Sequence, residues 1–129
     1  MKIDSFLLDT LTAQAKASPR LRMNYDLRNS PEDGSQRMLN ALEPGTQLPV
    51  HRHLASSETV VILRGAATQY FYGADGQVDE VVTVRAGSDC VGMTVEQGRW
   101  HRLEALESGT VILECKDGPY RPLGEDEVL

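Results

Sequence analysis

Three histidines are the residues of this chain best suited to chemistry: His51, His53 and His101. Imidazole is a common protein ligand of transition metals, and a nearby carboxylate suits the same metals. His51 and His53 form a His-x-His pair, and Glu58 follows five residues later. Residues two apart on a β-strand point to the same side, so a strand here would direct both imidazoles to one point. The pattern predicts a metal site.

Glycines at regular distances strengthen this interpretation. Gly45 lies six residues before His51, and Gly65 lies seven residues after Glu58. Further on, Gly98 and His101 have Gly-x-x-His spacing. A lone histidine is more often an ordinary core or surface residue than a ligand. The complete spacing pattern favours a metal site over that structural alternative.

These two segments resemble the two sequence motifs of the cupin superfamily. The stretch from Gly45 to Gly65 matches the first motif without a departure. In the second motif, Glu96 replaces the usual proline and Ala105 the usual asparagine, which leaves a less rigid turn and a position that cannot hydrogen-bond. The resemblance implies a barrel that binds one divalent transition metal (Fe, Mn, Zn or Ni) through His51, His53, Glu58 and His101.

The periodicity of the chain predicts an all-β fold, a cupin jelly-roll barrel with a short N-terminal helix. Apolar residues with helical spacing form a stripe that ends before Pro19, and after it apolar and polar residues alternate as in a strand. One domain fits 129 residues. We expect the helix within residues 1–19, the barrel within 20–116 and a surface tail within 117–129. The predicted strands cover residues 20–28, 36–43, 48–53, 59–64, 66–72, 78–85, 91–95, 100–106 and 110–116.

Composition excludes several classes of partner. The net charge of −6 argues against nucleic-acid binding, which needs a basic surface. No apolar run is long enough to cross a membrane, and the N-terminus lacks the pattern of a signal peptide. Cys90 and Cys115 form no CxxC pattern and are interpreted as free thiols. These features predict a cytoplasmic protein.

Longer stretches resemble one cupin subfamily, the bacterial WbuC-type cupin metalloproteins. The resemblance extends over about residues 3–122 and is carried by the runs SPRLRMNYDLR, QRMLNALEPGTQLPVHRHLASSETVVILRG and KDGPYRP. That subfamily is associated with gene clusters for bacterial surface polysaccharide, notably O-antigen. The resemblance implies a link to polysaccharide biosynthesis and leaves the reaction open.

Arginine is unusually favoured over lysine, with ten arginines against three lysines. The planar guanidinium binds carboxylate and phosphate groups through two hydrogen bonds, so an anionic or sugar-derived small molecule is the expected ligand. Ordinary surface ion pairs are the alternative explanation. The predicted substrate-binding residues are Arg22, Asn24, Arg37 and Tyr70. Other candidates near the site are Gln36, Asn40, Tyr72 and Trp100.

Three functions remain open at this point. The protein is an enzyme with an open metal coordination position, a non-catalytic metal-dependent binding module, or a barrel that the metal only stiffens. An enzyme of this kind would activate dioxygen with iron or use Mn, Ni or Zn as a Lewis acid. Open sheet edges, the apolar helix stripe and the apolar side of the first strand lead us to expect a homodimer.

Overall fold

Eight strands form two antiparallel sheets in the computed structural model, which describes residues 1–129. This confirms the predicted all-β class with a short N-terminal helix. No helix has the length and apolar character needed to cross a membrane. The elements are α1 (Ser5–Ala17), β1 (Arg22–Asp26), β2 (Ser35–Leu42), β3 (Glu58–Arg64), β4 (Ala66–Tyr72), β5 (Val78–Arg85), β6 (Gly92–Val95), β7 (Trp100–Ala105) and β8 (Thr110–Asp117).

The two sheets pack face to face and enclose the main core. One sheet has the strand order β1-β2-β8-β3-β6, and the other has the order β5-β4-β7. Both sheets contribute side chains to one apolar cluster, so burial between them stabilises the sandwich. Its members are Leu42, Val60, Ile62, Ala67, Val84, Leu103, Ala105 and Ile112.

Helix α1 covers the outer face of the five-stranded sheet. The Asp4 carboxylate caps it by accepting a hydrogen bond from the Leu7 backbone N–H at 3.1 Å. The apolar stripe packs in a second cluster that contains Leu8, Leu11, Ala15, Leu39, Ala41 and Val111. Leu8, Leu11 and Ala15 are thus buried within their own chain, whereas Phe6 at the start of the helix is 80% exposed. The homodimer stays a prediction, and the open sheet edges are its main basis.

The sequence prediction was wrong about the segment that carries the first two histidines. Residues 48–53 form no regular strand, and His51 makes only isolated bridges to His101 and Val128. The backbone of His51 and His101 exchanges two hydrogen bonds of 3.0 and 2.8 Å. Pro49 has no N–H group to extend this pairing. The strand predicted from residue 20 begins only at Arg22, because Leu21 has a left-handed φ of +57°.

The C-terminal tail, predicted to lie over the surface, is anchored to the histidine segment. A short 3₁₀ helix spans Glu125–Glu127, and Glu127 is buried. Its carboxylate accepts hydrogen bonds from the backbone N–H groups of Leu54 and Gly124, both at 2.9 Å. Its carbonyl accepts one from Arg52 N–H at 3.0 Å. The tail therefore helps to fix the loop that follows His53.

Candidate metal centre and ligand cavity

The fold brings the three histidines together at one end of the space between the sheets. His51 and His53 come from the segment between β2 and β3, and His101 is the second residue of β7. One ring nitrogen from each histidine lies within 4.8 Å of the other two. Neighbouring ring centroids are 4.3 to 5.6 Å apart. The three imidazoles converge as the His-x-His pattern predicts, although a bridged loop rather than a strand presents the pair.

Backbone carbonyls fix the orientation of two of these rings. His51 Nδ1 lies 3.0 Å from the Pro49 carbonyl oxygen, and His101 Nδ1 lies 2.8 Å from that of Arg99. A carbonyl only accepts hydrogen bonds, so each Nδ1 carries the proton and donates it. Nε2 of both neutral rings then has a free lone pair, which is the arrangement found when histidine binds a metal.

His53 is held by charged side chains instead. Its Nδ1 lies 3.2 Å from Lys116 Nζ, and its Nε2 lies 3.3 Å from Glu58 Oε2 without forming a well-aligned hydrogen bond. Glu58 is the first residue of β3 and lies opposite Lys116 in the β3–β8 pairing. The structure therefore places the fourth predicted ligand directly beside the histidine cluster.

The histidine cluster has the properties of a site for a divalent transition metal. Nε2 of His53 and Nε2 of His101 are buried and have no hydrogen-bond partner. Buried polar atoms of native proteins rarely lack a partner. His101 Nε2, and His53 Nε2 with only its poorly aligned contact to Glu58, therefore fit a site that binds a ligand. Three imidazoles and one carboxylate form a donor set that suits Fe, Mn, Zn or Ni. These residues fit the metal that the sequence predicts.

Burial keeps two of the imidazoles in the form that binds metals. It lowers the pKa of His51, and it lowers the pKa of His101 to about 4, with a further contribution from the neighbouring His51. Both rings are thus neutral near pH 7, as metal coordination requires. Burial alone would raise the pKa of Glu58, but His53, His101 and Lys116 outweigh it, and the net shift is downward. Glu58 therefore remains ionised.

Two of the framing glycines are required by the local backbone. Gly65 has a φ of +81°, and a Cβ at this position would lie only 2.8 Å from the Thr110 Cα. Gly98 has a φ of +78°, and its N–H donates to the His53 carbonyl at 2.8 Å. That bond ties the turn before His101 to His53. The turn closes with a hydrogen bond between Arg99 N–H and the Glu96 carbonyl at 3.1 Å, without the proline usual in cupins.

A cavity of about 350 Å³ extends from the histidine cluster between the sheets. This volume is in the range of sites for small molecules. Apolar side chains line part of it, including Met38, Leu42, Leu48, Val60 and Leu103. The polar lining outside the histidine cluster consists of carboxylates, cations and amides: Glu58, Glu114, Arg20, Arg22, Lys116, Arg121, Asn24, Gln36, Asn40 and Gln69.

Two of the four predicted substrate-binding residues line this cavity. Arg22 and Asn24 lie on the same side of β1, which is the side that faces the cavity. Arg22 Nη1 donates to the Gln47 carbonyl at 3.1 Å, and this contact holds the half-buried guanidinium in place. Asn24 is exposed at the cavity mouth. Gln36 and Asn40, the further candidates on β2, also line the cavity and are buried.

The other two predicted residues point away from the cavity. Arg37 lies on the opposite side of β2, where it pairs with Asp33 at 3.2 Å and donates to the Ser35 carbonyl at 3.2 Å. Tyr70 lies on the outer side of β4, with the guanidinium of Arg102 5.1 Å from its ring centroid. Adjacent strand residues alternate sides, so both predictions chose the wrong side of the strand.

The remaining two aromatic candidates lie outside the cavity as well. The Tyr72 hydroxyl accepts a hydrogen bond from Arg102 Nε at 3.3 Å. The Arg52 guanidinium lies 4.3 Å from the Trp100 ring centroid. Neither residue lines the cavity. Their contacts are those of an outer sheet face and do not shape the entrance as the sequence suggested.

Glu114 is a cavity residue that the sequence reasoning missed. It lies on β8, the central strand of the five-stranded sheet, and its Oε1 is 3.5 Å from Asn40 Nδ2. It is among the residues that line the cavity. Burial raises the pKa of Glu114 to about 7, and the negative charge of Glu58 adds to the effect. Ile112, Glu114 and Lys116 lie two residues apart and therefore on one side of the strand, and this spacing is the sequence signal that could have placed Glu114 in the cavity.

Solved structures of low sequence identity share this fold. KdgF from a Halomonas species aligns with a TM-score of 0.60 at 16% identity, over 81% of this chain and 84% of its own. Oxalate oxidase in complex with the substrate analogue glycolate aligns with a TM-score of 0.65 at 16% identity, over 95% of this chain and 64% of its own. Oxalate decarboxylase from Bacillus subtilis aligns with a TM-score of 0.60 at 20% identity, over 84% of this chain and 27% of its own.

These neighbours are cupin-fold proteins, which confirms the jelly-roll fold that the motifs implied. The chain spans less than two thirds of the oxidase and of the decarboxylase. No match was found among curated proteins. A family model described as "Domain of unknown function (DUF6016)" matches residues 3–84, which include His51, His53 and Glu58. The protein has a cupin fold and belongs to the DUF6016 family.

Proposed function

We propose that this protein is a metal-dependent cupin enzyme that acts on a small anionic or sugar-derived substrate. One divalent transition metal would be held by His51, His53, Glu58 and His101. The observation that carries the proposal is the convergence of two unpartnered, buried Nε2 atoms at the end of a polar cavity. A bound metal of this type supplies Lewis-acid or, for iron, redox chemistry.

The cations around the cavity support an anionic ligand. Arg20 and Arg121 are exposed where they line the cavity, and Arg22 is half-buried beside them. Burial and the neighbouring Arg20 lower the pKa of Arg22. Its guanidinium donates to the Gln47 carbonyl, and no carboxylate of the protein pairs with it. A carboxylate or phosphate of the ligand would supply that partner. Asn24, on the same side of β1, would hydrogen-bond a hydroxyl group.

The structural neighbours and the subfamily resemblance support the same class of ligand. One neighbour is an oxalate oxidase that binds glycolate, a small hydroxylated carboxylate. The resemblance to WbuC-type cupins adds a sugar-derived substrate and a role in O-antigen biosynthesis to the proposal. Fe, Mn, Zn and Ni all fit the donor set and remain the candidate metals.

Glu114 favours an enzyme over a non-catalytic binding module. Its carboxylate is enclosed beside the proposed metal site, with a raised pKa of about 7 and one long hydrogen bond to Asn40. This pKa belongs to the metal-free protein, and a bound cation would favour the ionised carboxylate, which can accept a proton from a ligand. Simple ligand retention does not need this property, whereas a reaction that transfers a proton does.

The test is calorimetric titration of metal-loaded protein with small carboxylates, sugar phosphates and nucleotide sugars. A hydrogen bond to a charged group contributes about 1.5–3 kcal/mol. Arg22→Ala should therefore weaken binding by roughly ten- to a hundredfold, with metal content unchanged. Arg37→Ala is the matched control, because Arg37 lies on the opposite side of its strand and should leave binding intact.

Two results would count against the proposal. If wild type and Arg22→Ala bind every ligand equally tightly, Arg22 does not contact the anionic group of the ligand. Incubation of each binding ligand with metal-loaded protein, followed by product analysis with nuclear magnetic resonance, tests catalysis. Binding without turnover of any ligand would favour the binding module.

A further inference from the structure

Two polar atoms in the cavity lack partners although they belong to no proposed metal ligand. They are Asn40 Oδ1 and Gln69 Nε2. Asn40 is 9% exposed and Gln69 only 2%. Asn40 lies on β2 and Gln69 on β4, so they belong to the two facing sheets, and both line the same cavity. Buried polar atoms without partners are rare, and these two therefore point to a ligand.

The charge on this inner part of the cavity differs from that at its mouth. Glu114 lies beside Asn40, and Glu58 lies on the neighbouring strand β3. Lys116, which lies opposite Glu58, and a bound metal would offset the charge of Glu58. Repulsion of an anionic group at Asn40 would therefore come from the Glu114 carboxylate and from Asn40 Oδ1. The arginines that line the cavity, Arg20, Arg22 and Arg121, are instead exposed or half-buried. An anionic ligand would therefore direct its charge toward the arginines and a neutral group toward Asn40.

The chemistry of the unpartnered atoms identifies the neutral group. Asn40 Oδ1 can only accept a hydrogen bond, and Gln69 Nε2 can only donate one. A hydroxyl group does both, since it donates through its hydrogen and accepts through its oxygen. A methylene group does neither and would leave both protein atoms unsatisfied, which is costly in a buried site.

We propose that Asn40, Gln69 and Glu114 form a hydroxyl-binding subsite, so that the ligand is a polyhydroxylated acid bound with its anionic end toward Arg22. The direction of the anionic end rests on the proposed function, whereas the hydroxyl contacts do not. Glu114 can accept from a ligand hydroxyl when ionised and donate to it when protonated. The subsite would therefore select hydroxylated acids over fatty acids of the same length.

Three probes with chains of similar length separate the two contacts. Gluconate has both an anionic group and hydroxyls, hexanoate has only the anion, and sorbitol has only hydroxyls. In calorimetric titrations of the metal-loaded protein, we expect gluconate to bind at least about tenfold more tightly than hexanoate. Gln69→Met, which removes the amide donor at similar size, should weaken gluconate binding by about tenfold and leave hexanoate unchanged.

The variant is expected to fold, because it removes an unsatisfied buried donor. Its melting temperature should equal or exceed that of the wild type, and its metal content should match that of the wild type. Asn40→Leu provides a second variant, which removes the acceptor and should give the same loss for gluconate. Three outcomes would overturn the subsite. Gluconate and hexanoate could bind equally tightly, neither gluconate nor sorbitol could bind, or both variants could bind gluconate as tightly as the wild type. Sorbitol binding equal to that of gluconate, unaffected by Arg22→Ala, would overturn only the anion contact of the proposed function.

Discussion

Replacement of Glu114 by glutamine should stabilise the metal-free protein at alkaline pH. The pKa of this carboxyl rises from its ordinary value of 4.5 to about 7 in the folded state. The native state therefore holds the proton more tightly than the unfolded state, and ionisation disfavours folding. The pKa difference corresponds to a loss of roughly 3 kcal/mol in the free energy of unfolding of the wild type. This loss is nearly complete above pH 7 and almost absent below pH 4.5. Glutamine has nearly the same shape and no charge.

The free energy of unfolding of wild type and Glu114→Gln should be compared in urea, after chelation, at pH 5 and at pH 8. Chelation is needed because a nearby cation would itself favour the ionised carboxyl. We expect a gain of about 3 kcal/mol at pH 8 and under about 1 kcal/mol at pH 5. Circular dichroism follows the transition.

Glu43→Gln is the matched control. The Glu43 carboxylate is buried outside the cavity, where it accepts hydrogen bonds from Ser108 Oγ at 2.6 Å and Gly109 N–H at 2.7 Å. Its replacement loses an acceptor and should destabilise the protein by about 1–3 kcal/mol. A Glu114→Gln variant that is destabilised at pH 8, or that shows the same change at both pH values, would refute the reasoning about the enclosed carboxyl.

Two further predictions concern the whole molecule. Chelation should lower the melting temperature but leave the β signal in circular dichroism, because the apolar core between the two sheets contains none of the proposed metal ligands; loss of that signal would show that the metal is structural. Light scattering at micromolar concentration should give the mass of a homodimer joined through open sheet edges, and a strict monomer would contradict this expectation.

The residues of the histidine cluster could be recognised from the sequence because their pattern is local. His51, His53 and Glu58 lie within eight residues, framed by glycines with demanding backbone geometry, and the fold brings them together with His101. The alternation in β1 was equally informative. Its apolar side packs under α1, which leaves Arg22 and Asn24 on the cavity side.

Whether the other residues line the cavity depends on what covers each side of their strand. Both sides of β2 are covered, one by the helix and one by the cavity, so its sequence does not show that Arg37 points away while Asn40 points inward. Glu114 belongs to the cavity only because β8 pairs between β2 and β3. The tail residues Tyr120 and Arg121 reach the cavity through contacts between distant parts of the chain. Such pairings are not visible in local periodicity.

Elemental analysis of the purified protein tests the metal site most directly. The wild type should contain close to one equivalent of a divalent transition metal per chain, and the double variant His51→Ala/His53→Ala should contain almost none, because two of the converging imidazoles are lost. Circular dichroism should show the β signal in both proteins. Full metal content in the double variant would contradict the assignment of the histidine cluster as the metal centre.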